Sequence, residues 1–278
     1  MAQDGYAALR IARDAGVAWV TLDHPPINLF DTTLMRDLYY AAKELAADEA
    51  VRVVVLQSAH PDFFIAHADL HSILDAKKGD TTREGGSSFF QALVERWRTM
   101  PQATIAKLAG RARGGGSELV LGLDMRFGAY TKAVLSQPEV MLGILPGGGG
   151  TQNLTRLVGR GRALEIILGC GDVTAEVAER YGYINRGLPP EELDHFVDDL
   201  ARRIATFPRE AIAHAKQAVD GAGDDRHAGL VAENDLFYDL ADGDEARRRM
   251  RRFLEAGGQT CEGELDDLTR LAETLRDG

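Results

Sequence analysis

The 278 residues include only two cysteines, Cys170 and Cys261, whose separation matches neither a metal-ligand nor a redox spacing. That scarcity excludes a disulfide scaffold and a cysteine-built zinc site, and free thiols in a reducing compartment are expected. Long apolar runs are also missing. Those at 53–56 and 119–121 fall far short of the roughly 20 residues a bilayer crossing requires. Residues 1–13 lack the apolar stretch of a secretory signal, so the expectation is a cytoplasmic protein with no membrane partner. Positive charge is in deficit: 32 Lys and Arg stand against 43 Asp and Glu, a net charge of -11. Such a balance opposes binding to phosphate backbones, and nucleic acid is not an expected partner.

What is present is ordinary globular material, long enough to bury a substantial core. Residues 17–22 are rich in β-formers and are stopped by Pro25 and Pro26. Asp31 then reads as the N-cap of a helix carrying Leu34, Leu38, Ala41, Ala42 and Leu45 at helical spacing. Residues 51–56, apolar except for Arg52, read as a strand buried on both faces. Strand, helix and strand recur at 104–108, 115–123 and 125–130, which predicts α/β layering. A polar, glycine-rich loop is expected at 77–88, followed by a helix around Phe89 to Trp97. From Thr151 onward the pattern is mostly helical, with Leu193, Phe196, Val197, Leu200, Ala201 and Ile204 forming one apolar stripe.

Three segments carry candidate chemistry. The first runs Phe63-Phe64-Ile65-Ala66-His67-Ala68-Asp69-Leu70. In the second, Gly114, Gly115 and Gly116 open a helix with Glu118 in its first turn; glycines admit close approach, and the N–H groups at a helix start stabilise negative charge. The third begins Gln137-Pro138-Glu139 and ends in the glycines 147–150 before Thr151. No Lys-Ser or Lys-Thr follows those glycines, and 110–116 lacks a G-x-G-x-x-G spacing, so nucleotide loops of either kind are disfavoured.

In order and spacing these segments resemble the crotonase, or enoyl-CoA hydratase/isomerase, superfamily, over about residues 17–254. The resemblance implies an α/β fold: a spiral of repeated β-β-α units at 1–195, then a helical trimerisation region at 196–256. Residues 257–278 look like an extra acidic helical tail, with Leu265, Leu268, Leu271 and Leu275 spaced to pack. By the same resemblance, the backbone N–H groups of Ala68 and Gly115 form an oxyanion hole for a thioester enolate. Glu118 holds and activates water, and Glu139 protonates C2. Ala66, His67, Asp69, Leu70, Gly114, Pro138 and Gly147 would line the acyl-CoA site.

The implied reaction is hydration of a 2-enoyl-CoA to a 3-hydroxyacyl-CoA, in a homotrimer or a dimer of trimers. No metal and no cofactor are implied, coenzyme A being part of the substrate. The alternatives on this fold are a double-bond isomerase, an acyl-CoA hydrolase or decarboxylase, and a catalytically silent relative that binds acyl-CoA or RNA. One departure stands out: His67 occupies a position where the family commonly has glycine, and would be strained if the backbone there needed positive φ. Arg111 and Arg113 flank the glycines, and Arg residues near a turn are usually solvated or paired with acids. Solvation is also the ordinary reading of the basic run at 247–252 and of His71.

Overall fold

The computed structural model describes residues 5–76, 87–207, 209–220, 237–238 and 241–265. In chain order it begins with β1 (Leu9–Asp14), β2 (Val17–Leu22), α1 (Thr32–Ala47), β3 (Val53–Ser58), β4 (Phe63–Ile65), α2 (Leu70–Asp75) and α3 (Phe89–Thr99). Next come β5 (Ala103–Leu108), β6 (Arg111–Arg113), α4 (Gly115–Leu121), β7 (Met125–Ala129) and β8 (Val134–Ser136). A 3₁₀ turn, Glu139–Leu142, leads into α5 (Gly150–Gly169), which is broken at Gly159, where φ is 78°. Then follow β9 (Val173–Thr174), α6 (Ala175–Tyr181), β10 (Arg186–Leu188), α7 (Pro190–Ala205), α8 (Arg209–Asp220), α9 (Asp244–Glu255) and α10 (Cys261–Leu265).

The strands form two sheets, ordered β1-β2-β3-β5-β7-β10 and β4-β6-β8-β9. Consecutive strands alternate between them: β3 is followed by β4, β5 by β6 and β7 by β8, each step moving one place along both sheets. This is the expected spiral of β-β-α turns. Parallel pairing joins every neighbour in the larger sheet except β1 and β2, which are antiparallel.

The buried strand at the centre explains the layering. Along β3, Val54 and Leu56 pack into the cluster that holds Leu34, Leu38, Ala41, Ala42 and Leu45 of α1 and Trp97 of α3. Val53 and Val55 face the other way, onto Leu193, Val197 and Ala201 of α7. A two-residue period thus distributes one apolar run between two helical layers. Local chemistry fixes the helix starts: the Asp31 carboxylate accepts from Leu34 N at 2.9 Å, and Ser88 and Gln91 form a capping box. Of the expected polar loop only Ser87 and Ser88 lie within the described residues. Among those residues, no helix is long and apolar enough to cross a membrane.

Close packing of α4 on β4 positions the candidate site. A Cβ added at Gly116 would lie 2.7 Å from both the Cβ and the carbonyl oxygen of Ile65, so no side chain fits there. Gly116→Ala is therefore expected to cost about 2 kcal/mol, as overpacked cores do, read from urea unfolding. Gly161→Ala, at a position with nothing within 4 Å, serves as the control and should not destabilise.

Candidate active site

Where the two sheets meet the C-terminal helices, a cavity of about 240 Å³ opens. Its wall contains His67, Ala68, Asp69, Leu70, Gly114, Gly115, Glu118, Pro138, Glu139 and Gly147. Three segments far apart in sequence thus line one cavity, a convergence that only the family resemblance implies. Ala66, the remaining candidate, is not in that wall: it packs with Ile27 and Phe63, and its N–H meets Ile27 O at 3.3 Å. The aromatic lining, Phe30, Phe89, Phe90, Phe237, Tyr238 and Phe253, is not part of the expected set, since isolated aromatics in sequence carry no sign of convergence.

Two backbone segments lie side by side in the cavity wall. His67 C=O accepts from Phe30 N at 2.9 Å, and Asp69 N–H donates to Phe30 O at 3.2 Å. In a trans peptide the N–H opposes the C=O, so the Ala68 N–H is turned away from Phe30. Gly115, the first residue of α4, carries a helix-start N–H with no intrahelical acceptor. The two residues are neighbours: a Cβ on Gly115 would lie 3.5 Å from Ala68 Cβ and 3.0 Å from Phe30 Cδ1. Gly114 reverses the chain at φ 49° and donates to Ser136 O at 3.0 Å; a residue with a Cβ would be strained there.

Glu118 and Glu139 are both buried. Oε1 of Glu118 accepts from Gly148 N at 2.7 Å and Gly150 N at 2.9 Å, at the start of α5. Two N–H groups and a helix terminus together stabilise its negative charge. The glycine run at 147–150 is therefore a carboxylate cradle. Glu139 opens the 3₁₀ turn, and its Oε1 lies 2.9 Å from where a Gly114 Cβ would stand. Behind α4, Tyr183 Oη is hydrogen-bonded to Ser117 and accepts from Gln137 Nε2 at 3.4 Å, tying the Gln-Pro-Glu segment to the helix bearing Glu118. Burial pushes the Tyr183 phenol well above its usual range, so it stays neutral.

His67 does not carry the strain considered above: it is not among the residues with positive φ. Instead it is buried, its Nε2 bonded to Glu264 and its Nδ1 2.9 Å from Ala68 O. Burial works against the charged imidazole, but the Glu264 carboxylate and the Ala68 carbonyl outweigh it and raise His67 above 6.5. Burial likewise opposes ionisation of Glu264, yet His67, the Gln259 N–H and Arg113 bring it below 4.5. Arg113 is fully buried, holding Asp172 and the Glu264 carbonyl. Neither Glu264 nor Asp172 stands out in sequence, because their partners are 197 and 59 residues away.

Asp69 is an N-cap, accepting from the N–H groups of His71 and Ser72, while the His71 side chain is exposed. The basic run on α9 is not a purely solvated face: Arg247 donates to the carbonyls of Leu74 and Ala76, and Arg249 to that of Met141. Among the described residues no group of His, Cys, Asp and Glu has the arrangement of a metal site. Leu268, Leu271 and Leu275 of the tail lie outside the described residues.

Comparison with known proteins identifies the family. The family model for enoyl-CoA hydratase/isomerase matches residues 12–263. A short-chain-enoyl-CoA hydratase of Clostridium acetobutylicum is 30% identical over 249 residues, 88% of this chain and 94% of that protein. The crystal structure of a candidate enoyl-CoA hydratase from Streptomyces avermitilis superposes with a TM-score of 0.91 at 43% identity, covering 98% of this chain and 99% of that one. An enoyl-CoA hydratase structure from Bacillus anthracis gives a TM-score of 0.72 at 29% identity, covering 90% and 96%. A family model spanning residues 12–263 and relatives matched along nearly their whole length place the chain in the enoyl-CoA hydratase/isomerase family.

Proposed function

We propose that this protein hydrates a 2-enoyl-CoA thioester to a 3-hydroxyacyl-CoA. The observation that carries the reading is the convergence, on one largely apolar cavity, of two buried carboxylates and two neighbouring backbone segments, each with an N–H free of regular secondary-structure pairing. The thioester carbonyl accepts from Ala68 N–H and Gly115 N–H. Glu118 orients a water and takes its proton as the oxygen attacks C3. Negative charge moves to the thioester oxygen as an enolate, and Glu139 delivers a proton to C2. Fixed N–H dipoles need no reorganisation as that charge develops, and each is worth about 3 to 4 kcal/mol in related chemistry.

The carbonyl, C2 and C3 supply all the electronic activation the reaction needs, so we assign no metal and no cofactor. A homotrimer, or a pair of trimers, is the assembly we infer from membership of the family. Cytoplasm is the compartment we assign.

The test follows the loss of enoyl absorbance with crotonyl-CoA and a longer 2-enoyl-CoA, with the product identified by mass. A gain of one water is expected. Conversion of a 3-enoyl-CoA without water uptake would assign an isomerase, and release of CoA or CO2 a hydrolase or decarboxylase. Tight binding of thioester without turnover would sink the enzymatic reading.

A further inference from the structure

The cavity position that departs from glycine leads, through its side chain, to the C-terminal segment. Both ring nitrogens of His67 face acceptors, the Ala68 carbonyl oxygen and the Glu264 carboxylate. Neither a carbonyl nor a carboxylate can donate, so the ring that satisfies both is the imidazolium. Glu264 Oε1 also accepts from Gln259 N at 2.7 Å, and its Oε2 stands 3.6 Å from Arg113. Arg113 in turn pairs with Asp172. Two positive and two negative groups form a chain with no net charge, the condition under which ions tolerate burial.

We propose that Glu264 and His67 are positioning residues: the 257–265 segment, acting through the imidazolium, clamps the peptides around Ala68 so that its N–H stays aimed at the thioester oxygen. Phe30 holds the peptides on either side of Ala68 by one edge each, through His67 C=O and Asp69 N–H. The Ala68 carbonyl is the remaining polar edge. It receives His67 Nδ1 at 2.9 Å and Gln259 Nε2 at 3.2 Å, and both donors are tied to Glu264 Oε1. A glycine at 67 could not make the imidazole link, which joins the Ala68 carbonyl to Glu264, so in this chain the oxyanion geometry depends on a segment 190 residues downstream or more. The proposal rests on the assignment of Ala68 as an oxyanion donor, and its test therefore reads the carbonyl itself.

The probe is butyryl-CoA labelled with ¹³C at the thioester carbonyl, which has no double bond to hydrate. Its infrared carbonyl frequency, bound to the wild-type protein, should lie below that of the free thioester. In Glu264→Gln, binding should stay within about threefold, while most of the displacement is lost and kcat for a 2-enoyl-CoA falls about tenfold to a hundredfold, less than loss of a whole donor. His67→Gln should behave the same way. Without any substitution, the displacement should also decline as pH rises through the raised His67 value; the charged groups around the ring are Glu264, Arg113 and, across Gly114, Glu139, with the Phe253 ring against its edge. A displacement unchanged in both variants and across that pH range overturns the clamp. Displacement that responds as expected in a wild type that does not hydrate 2-enoyl-CoA supports the clamp and sinks the hydratase. No displacement in the wild type overturns the clamp's premise.

Discussion

Glu118→Gln should remain folded and lose about a thousandfold in kcat on crotonyl-CoA, within the range general-base catalysis contributes. The carboxylate is cradled by Gly148 N–H and Gly150 N–H through Oε1. A glutamine can offer its own oxygen to the same two donors, so the cradle survives. What it cannot do is accept a proton from water. Stability and chemistry should thus separate: the urea midpoint stays near the wild-type value while turnover collapses. Glu118→Ala inverts the emphasis by leaving two buried N–H groups without the carboxylate, at about 1 to 3 kcal/mol each. A Glu118→Gln enzyme with kcat within tenfold of wild type would remove Glu118 from the proposed mechanism.

The separation of interacting partners along the chain also marks where the sequence is readable. Asp31 and Leu34 are three residues apart, and a cap plus an apolar stripe announces α1 because every participant lies within one helix. The buried run of β3 is equally plain. β1 escapes notice because Leu9–Asp14 mixes arginines and an aspartate with its apolar residues; its strand character comes from antiparallel pairing with β2. The site shows the same division. Glycines 114–116 and 147–150 are legible as a helix start and a loop, and the family resemblance brings Glu118 and Glu139 to them. The use of Gly148 and Gly150 N–H groups to hold Glu118 appears only when α4 and α5 are packed together. Glu264 is harder still: in an acidic segment it looks like surface, and only the unusual His67 signals that something must face an imidazole there.

Arg113→Met should be the most destabilising of these substitutions, by about 3 to 5 kcal/mol at neutral pH, the cost of breaking a buried ion pair from one side. Methionine fills much of the same volume, so the loss is electrostatic rather than a cavity. It leaves Asp172 and Glu264 with His67 and the partly buried Arg111 as the neighbouring positive charges. Arg111→Met is the comparison: that side chain is only partly buried and reaches the Leu265 carbonyl at 3.3 Å, and its loss should cost about 1 kcal/mol. The pH dependence follows from the two shifted groups. Glu264 ionises below its unfolded value of 4.5, so its contribution is present above that pH and lost as pH falls through the folded value. His67 is raised above 6.5, so its contribution is complete below that pH and lost as pH rises through the folded value. Wild-type stability should therefore hold level between 4.5 and 6.5 and decline on both sides. Without Arg113, one of the groups depressing Glu264 is gone, its folded value moves up toward 4.5, and the acid decline, which still starts at 4.5, becomes smaller and ends at higher pH. Protonation then relieves the excess of carboxylates, so the gap to wild type should narrow as the solution is acidified. Urea unfolding across that pH series checks both features, and a gap that is small, or that widens in acid, would show that the buried chain is not held together by charge.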